Sequence, residues 1–286
     1  MHFNLHFTTV EILWTLTFAA QLVLLVVLIG RDRARQFPWF TISIVLMALR
    51  LLASRLLYGR MAGITLSAIF VVMADVAAVA GFLVVVEMGR NAFRPVRRGK
   101  WLAGALVLLV VGGGILAEWG PWPALKTLTA DSFLASLRLM QFLAQKLDML
   151  VDLLTVMLGI VVAFLGRRYG AGWKSHTQRI LTGLATASAG QLAVEGIWQI
   201  ITKTAVPQSH AEYDRIMALR DRLFNANGAL YVAVLVWWII VLWMDEPGMT
   251  GGELPLPERA PEYLIPEVDL PEGGLEPEAA GEAAAG

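Results

Sequence analysis

The chain predicts an all-α integral membrane protein. The expected architecture is a seven-transmembrane helix bundle with its N-terminus outside, its C-terminus in the cytoplasm and a disordered acidic tail. Three observations carry that expectation. Long apolar stretches recur at roughly 10–30, 38–58, 62–88, 101–118, 133–166, 178–202 and 222–244, and a spanning helix needs about 20 mostly apolar residues. Basic residues crowd alternate connections. The charge also changes sign near Asp245: 22 basic and 12 acidic residues precede it, whereas 11 acidic residues and only Arg259 occupy 245–286.

The chain is 57% hydrophobic, with a mean hydropathy of +0.63, which is too apolar for an ordinary soluble domain. The first, third and fifth connections hold Arg31, Arg33 and Arg35; Arg90, Arg94, Arg97, Arg98 and Lys100; and Arg167, Arg168, Lys174 and Arg179. The even connections hold fewer: Arg60, Lys126 and Lys203, with Arg215, Arg220 and Arg222 leading into the last span. Loops rich in Lys and Arg stay cytoplasmic, which orients the bundle. Attraction to anionic lipid accounts for the basic face, so the lipid bilayer is the expected partner and nucleic acid is not. Without cysteine, disulfides and thiolate metal sites are excluded. The Ala-, Leu-, Arg- and Gly-rich composition suits the inner membrane of a bacterial cell, as a multi-pass protein.

The first span follows eight residues that lack Lys and Arg, so it reads as a retained helix rather than a cleaved signal. The second carries Arg50 and Arg55, and the third carries Asp75 near its middle. A charge at mid-membrane costs at least ~2.5–3.5 kcal/mol. A hairpin about Gly59 and Arg60 therefore predicts a structural ion pair between Arg50 and Asp75. In the fourth span, Gly112, Gly113 and Gly114 allow close helix approach or a kink. Trp39, Trp101, Trp173 and Trp243 mark one interface, and Trp119 and Trp122 mark the other.

The fifth element runs from Asp131 to Gly166, about 54 Å at 1.5 Å per residue. Arg138, Gln141, Gln145, Asp148, Asp152 and Thr155 are spaced three and four apart along it, which puts them on one stripe. Lys146 lies off the stripe and should snorkel or pair locally. The sixth span repeats the pattern with Ser188, Gln191, Glu195, Gln199 and Thr202. Folding the two antiparallel about Gly170 to Gly172 brings Asp148 level with Glu195, Asp152 with Gln191, and Gln145 with Gln199. The last span opens with Arg220, Phe224, Asn227 and Tyr231 on one face. The seven-helix domain is expected over 1–245.

From 246 to 286 the chain is rich in Pro, Glu, Gly and Ala, and cannot bury enough apolar surface to fold alone. Tyr263, Leu264 and Ile265 are its one apolar cluster.

These stripes predict an outward-facing polar cavity lined by the second, third, fifth, sixth and seventh spans. Its expected ligand-binding residues are Asp148, Asp152, Glu195, Gln145, Gln191, Gln199, Arg138, Asn227 and Tyr231. The blander reading is that the same groups only pair with one another and hold helices together. Three carboxylates at one depth with few cations nearby would hold a bundle poorly, so binding of a small polar or cationic ligand is favoured. Several chemistries are excluded. The last span has no lysine for retinal, and His2, His6, His176 and His210 all lie at ends or in connections, so paired haem ligation is not expected. There is no Gly-x-Ser-x-Gly nucleophile element, and Asp148-x-x-x-Asp152 lacks a second Asp-rich segment to hold a metal-bound diphosphate. Neither a catalytic residue nor a cofactor nor a metal is assigned. The expected function is receptor- or sensor-like, acting through a separate cytoplasmic protein that meets the basic loops and acidic tail. The alternatives are a proton-coupled transporter using the carboxylates, or a non-catalytic subunit of a membrane complex.

Overall fold

The computed structural model describes residues 8–57, 60–61, 63–94, 98–119, 122, 133–165, 175–205 and 209–245. The acidic tail, the His2 and His6 pair, Trp173 and the Gly170–Gly172 turn lie outside these residues. Among the described residues every regular element is a helix. They are α1 (Thr9–Gly30), α2 (Arg33–Gln36), α3 (Pro38–Leu57), α4 (Gly63–Ala92), α5 (Arg98–Glu118), α6 (Phe133–Leu165), α7 (His176–Thr204) and α8 (His210–Trp243).

Local chemistry sets the starts. Thr8 and Glu11 form a reciprocal capping box on α1: the Thr8 hydroxyl accepts from the Glu11 amide at 3.3 Å, and the Thr8 amide donates to the Glu11 carboxylate at 3.1 Å. Ser175 and Ser209 cap α7 and α8. Asp32 takes the left-handed conformation (φ 54°), which turns the chain from α1 into the short α2. Proline at the first position of α3 suits a helix start, but no side chain of its own segment caps it. The missing acceptor comes from α4: Glu87 receives the amides of Trp39 (3.2 Å) and Phe40 (3.0 Å). A carboxylate at a helix N-terminus also opposes the helix dipole.

Contacts fix the register. Gly159 meets Ala185, and Gly183 meets Trp238, so α6, α7 and α8 run alternately up and down. Gly81 lies against Val151 and Gly89 against Leu158, so α4 runs parallel to α6. Arg31, Arg90, Arg94 and Arg179 therefore gather at one end, here called the basic end. The densest core also sits there, built around Leu24, Leu28, Phe37, Phe40, Met88, Ile180, Leu235 and Trp238. Phe40 and Trp238 meet edge to face at 5.1 Å, and the Trp238 indole donates to the Ile180 carbonyl at 3.2 Å.

Six helices, α1, α3, α4, α5, α6 and α8, are long and apolar enough to cross a membrane among the described residues. They make this an all-α, multi-pass membrane protein. The expectation of seven spans is met only in part. α7 is 29 residues long, but Gln178, Ser188, Gln191, Glu195 and Gln199 leave it too polar to stand with the six by composition. The outward surface is strongly apolar, with Val110 65% and Phe164 83% exposed. That exposure suits a lipid solvent. α8 starts twelve residues before the apolar span read from the sequence. Its first turns are charged, exposed and capped by Ser209, so the helix continues beyond its apolar part.

Candidate functional site

A cavity of about 790 Å³ lies inside the bundle, lined by α1, α3, α4, α6, α7 and α8. Phe40, Val84 and Trp238 lie towards the basic end, and Leu51, Ser54, Phe70 and Phe224 towards the opposite one. Most of the wall is apolar or aromatic. The polar groups are Thr17, Gln21, Ser43, Arg50, Ser54, Asp152, Thr155, Ser188, Gln191, Asn227 and Tyr231. This composition, an apolar wall with placed polar groups, is that of a small-molecule site.

Asp152 is the one carboxylate in the lining. The Ser188 hydroxyl donates to its Oδ1 at 2.6 Å, which ties α6 to α7. One turn along α7, Gln191 joins two neighbours. Its Nε2 donates to Glu195 at 3.2 Å, and its Oε1 accepts from Asn227 of α8 at 2.6 Å. Polar contacts thus join α6 to α7 and α7 to α8. Close approach makes them possible: a methyl on Gly190 would fall 2.9 Å from the Asn227 Oδ1, and one on Gly159 would fall 2.7 Å from the Ala185 Cβ. Small residues let helix backbones come together where polar groups bond across them. On the other wall, Gln21 Nε2 donates to the Tyr231 hydroxyl at 3.4 Å, and that hydroxyl donates to the Met47 sulfur at 3.1 Å. Gln21 is 1% exposed, and its Oε1 has no hydrogen-bond partner.

The structure divides the residues expected from sequence into two groups. Asp152, Gln191, Asn227 and Tyr231 line the cavity, as do Arg50 and Ser188. Asp148, Glu195, Gln145, Gln199, Arg138 and Asp75 do not. Asp148 is exposed on α6, within electrostatic range of Arg50, Asp75 and Glu195. Gln145 and Arg138 are exposed further along the same helix.

The contact of Gly159 with Ala185 puts α6 and α7 within a residue of the expected register, although the Asp152 carboxylate bonds to Ser188 rather than to Gln191. Arg50 and Asp75 are not among the ion pairs of the described residues. Both lie within electrostatic range of Asp148. Arg55 leaves the cavity altogether: it pairs with Glu11 at 3.7 Å and lies over the Trp14 ring, binding α3 to α1. Lys146 pairs locally. Its ammonium donates to the Trp119 carbonyl at 2.6 Å and lies 4.9 Å from the Trp122 ring centroid. Among the described residues no group of three or more His, Asp or Glu side chains could hold a metal ion.

No protein-family model, curated protein or solved structure matches this chain. The site must therefore be read from its own residues.

Sequence reasoning missed Gln21, Ser43 and Glu87. A lone glutamine in the otherwise apolar run Ala19-Ala20-Gln21-Leu22-Val23 was the available signal for the first. For Glu87 it was a helix starting at Pro38 with no capping residue before it. Ser43 bonds to its own helix through the Phe40 carbonyl, at 2.8 Å, so nothing in its sequence context distinguishes it.

Proposed function

We propose that this chain is a seven-helix receptor or sensor of a bacterial inner membrane, with α7 as the remaining span, the N-terminus outside and the C-terminus in the cytoplasm. The central cavity takes a small amphipathic molecule bearing an ammonium group. Asp152 is the counter-ion, held in place by Ser188. Gln191, Asn227 and Tyr231 offer hydrogen bonds, and Phe40, Phe70, Phe224 and Trp238 receive the apolar body. A separate cytoplasmic protein reads the bound state from the basic loops and the acidic tail.

The observation that carries this reading is that Asp152 is the one carboxylate lining a cavity of about 790 Å³, where the one cation in the lining, Arg50, acts on Asp148 rather than on Asp152. A buried charge in such surroundings is favourable only when paired, and an ammonium ligand supplies the pair. Two features support the orientation. Arg31, Arg90, Arg94, Lys100 and Arg179 gather at one end, which the distribution of basic residues assigns to the cytoplasm. Phe40 and Trp238 line the cavity at that end and belong to the buried core, which favours entry from the other side. The polar face of α7 turns towards α6 and α8, which is how a helix of its composition lies inside a membrane.

Native mass spectrometry of the detergent-purified protein tests the reading. The wild type should retain a small basic molecule that Asp152→Asn loses, whereas an Asp148→Asn/Glu195→Gln double variant should retain it. Loss in the double variant with retention in Asp152→Asn would place the site on the outer carboxylates and sink this assignment.

One observation favours a second reading. Asp148 lies within electrostatic range of both Asp152 and Glu195, so carboxylates lead from the exposed face of α6 to the cavity. A proton-coupled transporter would use such a series. Proton-linked uptake of amines into proteoliposomes, abolished by Asp148→Asn, would move that reading to the front.

A further inference from the structure

A second cavity, about 650 Å³, lies between α4, α5 and α6 near the basic end and is distinct from the central one. Its walls are apolar, with Phe82 and Gly89 from α4, Leu158 from α6, and Trp101 and Gly104 from α5. Lys100 is its one charged lining residue. No acid lines it, and the acid nearest along α4, Glu87, is engaged by the start of α3. The other described ionic groups flanking the α4–α5 connection, Arg90 and Arg94, are cations.

We infer that this groove is a binding site for one anionic glycerophospholipid of the surrounding bilayer, with an acyl chain along α5 and the phosphate at Lys100. The geometry fits each part of such a molecule. α5 stands off the bundle: Leu102, Leu106 and Val107 are all more than half exposed. A side chain added at Gly104 would meet nothing within 4 Å, so the space beside it is free for a chain. The Trp101 ring closes over Gly89, whose added methyl would lie 3.6 Å from the indole nitrogen. An amphipathic indole beside a lysine marks the headgroup level of a membrane. Basic pockets between helices on the cytoplasmic side select anionic headgroups. A groove whose one charged lining residue is Lys100 also disfavours a choline headgroup, whose own positive charge would face it.

The test uses the whole protein in detergent, titrated with phosphatidylglycerol or with phosphatidylcholine and read by native mass spectrometry. The wild type should hold one phosphatidylglycerol in preference to phosphatidylcholine. Lys100→Gln should weaken that binding about fivefold, the equivalent of ~1 kcal/mol for one basic residue at a membrane surface. Gly104→Phe should abolish it by filling the groove. Gly113→Phe is the control: it lies on the same helix, also meets nothing within 4 Å, and stands outside the groove. It should bind like the wild type, and both glycine variants should melt at the wild-type temperature without lipid. Equal retention of the two lipids, or identical behaviour of the two glycine variants, would overturn the inference.

Discussion

α5 is built almost wholly of apolar residues between Lys100 and Glu118 and stands at the edge of the bundle, packed chiefly on α6. α7 carries glutamines, serines, threonines and a glutamate, yet it packs against α4, α6 and α8. In water the order would be reversed, with the apolar helix inside. In lipid an apolar surface has nothing to gain by hiding, while a polar one must find partners within the protein. The most polar helix thus lies among neighbours while the apolar one is left at the edge. The glycines tell the same story. Those of α7 are pressed against neighbours, with Gly183 directly on the Trp238 indole and Gly196 near Trp119. On α5, Gly104, Gly113 and Gly114 meet nothing, and only Gly112 touches α6.

Substitution can break that comparison. The largest effect is expected at Gly183, where a side chain has no room beside Trp238. Gly183→Leu should destabilise the protein by ~3 kcal/mol or more through overpacking, while Gly113→Leu should leave melting in detergent unchanged. If the two variants melted alike, α7 would not be the tightly packed helix described. A smaller effect is expected from polar groups. Ser188→Ala removes a hydrogen bond to a carboxylate and should cost ~1.5–3 kcal/mol. By contrast Val110→Ala, on the lipid-facing side of α5, should cost less than ~0.5 kcal/mol. Chemical unfolding in mixed micelles separates these values.

The smallest effect sharpens the rule by moving it to an apolar helix. Glu87 sits on α4, and its worth lies in receiving two amides of α3. Glu87→Ala should cost ~0.5–2 kcal/mol, the range of a lost helix cap. The loss should register as faster amide hydrogen exchange at Trp39 and Phe40. Unchanged exchange at those two amides would mean that the carboxylate does not cap α3.

Much of this fold was legible before any coordinates. A three-and-four spacing of polar residues survives any arrangement of neighbours, so the stripes on α6, α7 and α8 were readable. So was their convergence, because Asp152, Ser188, Gln191 and Asn227 all lie on them. Periodicity relates residues along one helix only. It could not tell that Asp152 faces the cavity while Asp148, one turn away, is exposed. Nor could it tell that Arg55 would reach Glu11 on α1. α1 was read only as a retained span, although its Gln21 lines the cavity. The early start of α8 was hidden for another reason: its first turns are helical by capping and charge spacing, not by apolarity.

By itself the sequence determined the solvent and the material. A run of apolar residues long enough to cross a bilayer must satisfy its backbone internally, so it becomes a helix wherever its neighbours stand. The division of polar from apolar faces follows from residue spacing in the same way. Only the tertiary structure decided which polar residues share a cavity. That choice depends on the rotation and register of each helix against the next. These are set by the close contacts at Gly159, Gly183 and Gly190 and by the fit of Trp238 against Phe40. Such contacts join residues far apart in the chain, and a shift of one turn between two helices would exchange one carboxylate for another at the cavity wall.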